Sequence, residues 1–191
     1  MDHYVQKENS IVFRYNKKSK YLLNFIDKAE KSKEAQNIYI HHESLNLLKS
    51  DFFSLFKVIK AGGGLVLNAK SEVLLIFRRG SWDLPKGKKE KGEKRKQTAL
   101  REVQEETGIH NLSLHSSLPD TYHTYRINKQ RILKLSYWYL METDEHDLVP
   151  QTEEDIEIAK WVGISDLKKG KFQPMYKNIE RLIGHFIQSI K

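Results

Sequence analysis

The chain contains no cysteine, which excludes disulfides, thiolate zinc sites and a cysteine nucleophile. No apolar run approaches the roughly 18 residues of a membrane span, and the polar start MDHYVQKENS lacks the build of a signal peptide. A cytoplasmic location, with no membrane partner, is the default expectation. The GK[ST] of a Walker loop is missing, as are a dinucleotide fingerprint, internal repeats, low-complexity tracts and any long flexible linker. Acidic residues are in deficit, 25 against 33 Lys plus Arg, giving +8. That balance favours anionic partners, and a polyphosphate meets it as well as nucleic acid, for which no RNA-binding motif speaks. With 191 residues the chain suits one domain with an extension, or two small domains.

What is present is concentrated in Gly87 to Ile109, GKKEKGEKRKQTALREVQEETGI. If Glu93 to Thr107 is helical, Glu102, Glu105 and Glu106 fall within an arc of about 100°, and Ala99, Leu100 and Val103 take the neighbouring face. Three like charges on one arc repel, and a purely structural helix gains nothing from them. A divalent cation removes the objection, and hard carboxylate oxygens suit Mg2+ or Mn2+. Arg101, one turn before Glu105, can hold that carboxylate in place. Glu93 faces the favourable end of the helix dipole, and Gly108 supplies a left-handed cap.

The register of glycine, Glu93, Arg101-Glu102, Val103, Glu105-Glu106, Gly108 and Ile109 resembles the Nudix box, GX5EX7REUXEEXGU with U apolar, at every specified position. The resemblance runs from about Lys57 to the C-terminus and implies an α/β/α sandwich with a mixed β-sheet. It also implies a pyrophosphohydrolase acting on a nucleoside diphosphate linked to another moiety. Metal held at Glu102, Glu105 and Glu106, joined by the Gly87 carbonyl, would neutralise phosphate oxygens and acidify the attacking water. Whether Glu105 or Glu106 is the base stays open. The preceding Arg78 to Lys86, RRGSWDLPK, continues into the box as in the subgroup that handles diadenosine and diphosphoinositol polyphosphates. A dinucleoside polyphosphate is therefore the leading substrate. ADP-ribose, diphosphoinositol polyphosphates, nucleoside triphosphates and a non-catalytic sensor role are the alternatives. Arg78, Arg79, Trp82, Lys86 and Lys134 are the candidate substrate contacts; Glu153, Glu154 and Glu157 are the candidates for a further carboxylate.

Taken in order, residues 1–57 read as a small βαβα extension without a recognisable catalytic motif. Its strands are Ser10 to Arg14 and Asn37 to His41, with helical patterns at Ser19 to Lys31 and Ser44 to Phe56. His41 and His42 point to opposite faces of a strand and do not make one site. Homodimerisation is one role open to this segment. The catalytic domain is expected over 58–191. Its strand Val58 to Leu67 is interrupted by Gly62-Gly63-Gly64, where a phosphate or another strand approaches. Further strands are expected at Glu72 to Phe77, Leu112 to Leu118, Thr121 to Arg126, Ile132 to Met141 and Ile158 to Val162, with a last helix over Tyr176 to Ile190. Tyr137 and Tyr139 share a strand face.

Overall fold

The computed structural model describes residues 10–32 and 37–190. The polar start read above lies mostly outside them. By contacts the chain divides into two compact units: residues 1–57 together with Arg126–Ile132, and Val58–Tyr125 together with Leu133–Lys191.

In the first unit, β1 (Ser10–Arg14) and β2 (Asn37–His41) pair in parallel, with α1 (Ser19–Lys31) between them in sequence and α2 (Leu45–Ser54) following. Tyr15, Leu22 and Leu48 form its core. Ser44 caps α2 by accepting the Leu47 N–H at 3.3 Å, satisfying one of the free amides of a helix start. Tyr15 donates to Asp51 at 2.7 Å, and burial with this carboxylate pushes the phenol up to about 12. Arg126 and Arg131 join the unit through ion pairs with Asp27 and Glu30.

The second unit is built on a seven-stranded mixed sheet. Its strands are β3 (Lys57–Leu67), β4 (Glu72–Arg78), β5 (Ser81–Asp83), β6 (Lys86–Lys88), β7 (Ser113–Ile127), β8 (Gln130–Glu142) and β9 (Ile156–Gly163). The order is β5-β4-β3-β8-β7, with β6 on β3 and β9 on β4. Consecutive strand residues point to opposite faces, and here both faces are apolar. Leu65, Val73, Leu75 and Trp138 meet Ile179, Leu182, Ile183 and Phe186 of α5 (Lys177–Ser189). Val66, Leu74, Tyr137 and Tyr139 lie on the side of Ala99 and Val103, which belong to α3 (Arg95–Thr107). A short α4 (Ile164–Lys168) follows β9. The expected sandwich is what these residues form, and Tyr137 and Tyr139 are core.

Several elements differ from expectation for identifiable reasons. The helix begins at Arg95, two residues past Glu93, because the Glu93 carboxylate accepts the Glu90 N–H (2.9 Å) and the Thr98 hydroxyl (2.9 Å) ahead of the helix. The two strands expected at Leu112 to Leu118 and Thr121 to Arg126 are one, β7, running through Pro119. Proline is tolerated there because β7 ends the sheet, where a missing N–H breaks no ladder. The triple glycine does not break β3 but lets neighbours close on it. A Cβ on Gly62 would lie 2.9 Å from the Ala99 backbone nitrogen of α3, and one on Gly63 2.4 Å from the Pro85 oxygen. Helix α3 and the entry to β6 are what approach.

Candidate active site

Helix α3 directs Glu102 and Glu106, one turn apart, to its buried side; their exposures are 5% and 0%. Burial raises the pKa of Glu102, and it pushes Glu106 up to about 7 against the pull of Lys86 and Arg78. Arg78 Nη1 donates to Glu106 Oε1 at 2.9 Å, and the Lys86 backbone N–H donates to Oε2 at 2.7 Å. Glu105 is turned away from this pair. Its side chain is 48% exposed and accepts from Arg101 Nη1 at 2.7 Å. Arg101 is the hub of the outer carboxylates, donating also to Glu93 at 2.7 Å and reaching Glu102 at 2.9 Å. Its hydrogen bonds are the main reason that the Glu93 carboxyl is held down to about 2. The three glutamates expected to share one arc are thus split two and one.

Gly87 lies against this pair. A Cβ there would fall 1.7 Å from Glu102 Oε2, so no other residue leaves that carboxylate in place. The acidic loop after β8 folds back onto the end of α3: Val149 N–H donates to Thr107 O at 2.9 Å and Gln151 N–H to Glu106 O at 3.3 Å. Glu154, in the 3-10 turn Thr152–Glu154, is close enough to contribute to raising the Glu102 pKa. All three acidic candidates are exposed, and of them Glu154 is the one whose charge reaches Glu102.

A hard divalent cation takes several oxygen ligands. Among the described residues no three His, Asp or Glu side chains converge as a finished coordination shell. The oxygens present nevertheless suit such an ion. Two buried carboxylates disfavour their own charge, the Glu154 carboxylate adds to the field on Glu102, and Gln151, bonded to the same helix end, buries an amide oxygen without a partner.

Beside the carboxylates opens a cavity of about 270 Å³ that includes Arg78, Asp83, Lys86, His123, Lys134 and Trp138 in its lining. The hairpin turn at Arg79-Gly80, both with positive φ (51° and 72°), joins β4 to β5 and places Arg78 opposite Ser81. Lys86 Nζ donates to the buried Asp83 at 2.6 Å. Desolvation, reinforced by Lys86, lowers Lys134 to about 8, and desolvation also lowers His123. Trp138 is fixed by its indole N–H donating to Thr121 at 2.8 Å. The cationic groups exceed the single carboxylate in the lining, which is the field of an anion site.

The structure brings Arg78, Lys86 and Lys134 together as candidate contacts. Arg79 also lines the cavity, and it pairs with the exposed Asp155 at 3.0 Å. Trp82 is placed otherwise. Its ring packs at 5.1 Å from both Phe77 and Phe172, and its backbone N–H donates to Pro174 O at 2.8 Å, so it joins the core rim and not the cavity. Sequence reasoning missed His123, Asp83 and Trp138. A signal for His123 existed: a two-residue turn at Asn128-Lys129, both with positive φ, puts position 123 opposite 134 by counting.

A sheet layered between helices, with carboxylates paired under a glycine strand and cations gathered beside them, defines an α/β domain suited to polyanionic substrates. Comparison makes the class specific. A NUDIX domain family model matches residues 59–183, and the chain belongs to that family. Nudix hydrolase 25 of Arabidopsis thaliana is 28% identical over 149 residues, 65% of this chain and 85% of that protein. The MutT4 protein of Mycobacterium tuberculosis (strain CDC 1551 / Oshkosh) is 37% identical over 120 residues, covering 56% of this chain and 47% of its own length. The match thus spans about half of that relative. Among solved structures, the MutT protein of Methanosarcina mazei Go1 superposes with a TM-score of 0.56 at 21% identity, over 71% of this chain and 97% of that one. A C. elegans Ap4A hydrolase binary complex gives 0.51 at 21% identity, over 69% and 97%. These two likenesses bear on fold alone.

Proposed function

We propose that the chain hydrolyses the pyrophosphate linkage of a nucleoside diphosphate joined to another moiety, with dinucleoside polyphosphates as the favoured substrates. The observation that carries this is shared membership: Arg78 and Lys86 line the cation-rich cavity and also bond Glu106. A phosphate chain in the cavity therefore lies beside the buried carboxylates. Glu102 and Glu106 would hold Mg2+ or Mn2+ with the Gly87 carbonyl; the box implies Glu105 as a further ligand, which would have to leave its bond to Arg101 to join them. When bound, the ion would neutralise phosphate oxygens and lower the pKa of an attacking water. The chain's own residues do the rest. Arg78, Lys86 and Lys134 neutralise and orient the phosphates, and Asp83 keeps the Lys86 ammonium aimed along the cavity wall. Arg101 fixes Glu105 and Glu93, and Glu105 or Glu106 takes up the proton. In this reading 58–191 is the hydrolase domain and 1–57 an accessory one. The W-D-L-P-K-G run supports the dinucleotide over ADP-ribose and nucleoside triphosphates.

The test is a product-separation screen of dinucleoside polyphosphates, diphosphoinositol compounds, ADP-ribose and nucleoside triphosphates with Mg2+ or Mn2+. Turnover is expected for the dinucleotides and is expected to fall at least about a hundredfold in Glu106→Gln. No turnover of any compound would overturn the reading, and near-normal rates in the variant would overturn the site.

A further inference from the structure

The positive charge of the chain is unevenly placed. The first unit, residues 1–57 with Arg126–Ile132, holds 13 Lys and Arg against 7 Asp and Glu, so +6 of the chain's +8 falls on a third of its length. The second unit, which carries the carboxylates and their cavity, holds 20 against 18 and is close to neutral. A polyphosphate in the cavity therefore does not account for the excess. Carboxylates of the first unit do not offset it either, because its four described ones are engaged elsewhere. Asp27 and Glu30 pair with Arg126 and Arg131, Glu43 pairs with Arg14 at 2.7 Å, and Asp51 accepts from the Tyr15 hydroxyl at 2.7 Å. Among the described residues no ion pair reaches Lys17, Lys18 and Lys20 at the start of α1, or Lys28 and Lys31 further along it, and all five are exposed.

The sheet of this unit adds a flat surface. Phe13 and Ile40, partners in register, pack with Leu22 of α1 and Leu48 of α2. Alternation turns Val12 and Tyr39, also partners, to the opposite face, where they are 43% and 48% exposed. Arg14 and His41 follow on that face, one pair further along. An aromatic ring on an uncovered sheet face offers a stacking surface to an unpaired base, and lysines beyond the strand end offer a track for phosphates. No RNA-binding motif is present in the sequence, so the case rests on where the charge and the ring are placed.

We infer that the first unit binds single-stranded nucleic acid, with Tyr39 stacking on a base and Lys17, Lys18 and Lys20 following the backbone. The inference goes beyond the hydrolase reading and does not rest on it. A duplex is disfavoured, since its bases present no free face to the ring. A membrane surface is disfavoured too: Leu22 and Ile26 of α1 are buried, so the basic helix keeps no apolar stripe to enter a bilayer.

The full chain is titrated into a short fluorescently labelled oligouridylate, with binding followed by anisotropy over a range of salt concentrations. A labelled RNA duplex and phosphatidylserine vesicles are run beside it. The single strand should bind, with log Kd rising with log salt by about 0.7 per phosphate neutralised. In the Lys17→Ala, Lys18→Ala, Lys20→Ala variant that slope should fall by about 2. Tyr39→Ala should weaken binding about tenfold at every salt concentration with the slope unchanged, and Tyr39→Phe, which keeps the ring, should bind as wild type does. All four positions are exposed, so the variants should melt with the wild type. No binding of the single strand by wild type overturns the inference, as does equal affinity for the duplex. Full affinity in Tyr39→Ala overturns it as well, reducing the unit to a diffuse positive field. Binding confined to the vesicles would assign the charge to a lipid surface instead.

Discussion

Lys134→Met should make the protein more stable and a poorer binder of polyphosphate. Lys134 is largely buried beside Lys86, and desolvation, with that neighbour's charge, brings its ammonium from 10.5 to about 8. At about 1.36 kcal/mol per pK unit, the difference is a cost of about 3 kcal/mol for carrying the charge in the folded state. The sign follows from proton counting. Below about pH 8 both folded and unfolded chains hold the proton and the cost is present in full. Between about 8 and 10.5 the folded chain releases it while the unfolded chain keeps it, so the wild type gains stability as pH rises. Methionine has similar length and no charge, so at pH 7 the variant should melt roughly 6–12 °C higher by calorimetry. The gap should narrow as pH approaches 10.5. The same charge is what a phosphate would use: losing a charge-assisted contact of about 1.5–3 kcal/mol should lower kcat/KM for a dinucleoside polyphosphate roughly ten- to hundredfold. A variant less stable than wild type at pH 7, or one with unchanged kcat/KM, would refute the reasoning.

Other changes separate roles that the sequence leaves mixed. Gly87→Ala would drive a methyl to 1.7 Å from Glu102 Oε2, so turnover should fall at least about tenfold with a loss of roughly 1–3 kcal/mol in denaturant unfolding. Preserved activity there would argue that the glutamate is free to move. Trp82→Leu should cost about 1–2 kcal/mol through lost contact with Phe77 and Phe172 and leave KM for every substrate within about twofold; a large KM change would return Trp82 to the substrate.

Where the sequence was informative, the signal was local. The spacing of Arg101, Glu102, Glu105, Glu106 and Gly108 is enough to identify a helix with an acidic side and a left-handed cap, and the cap is observed at Gly108 with φ 77°. Apolar runs in β4 and β8 announced strands, which are buried on both faces, and the apolar spacing of α5 announced its buried stripe. Local signal failed where a partner far along the chain decided. Pro119 looked like a strand end until the sheet order put β7 at its edge. Trp82 looked available until Phe172 covered it.

By itself the sequence determined the chemistry available: the family register, oxygen donors fit for a hard cation, the absence of thiols and an excess of positive charge. Those depend only on residue type and short-range spacing along a helix of known pitch. Only the tertiary structure decided how the donors divide, with Glu102 and Glu106 buried under Gly87 and Glu105 given to Arg101. It alone brought the charge of Glu154 to bear on Glu102 and gathered Arg78, Lys86, His123 and Lys134 around one cavity. The physical reason is that burial and proximity set which charges feel one another, and both are properties of chain segments meeting across the sheet.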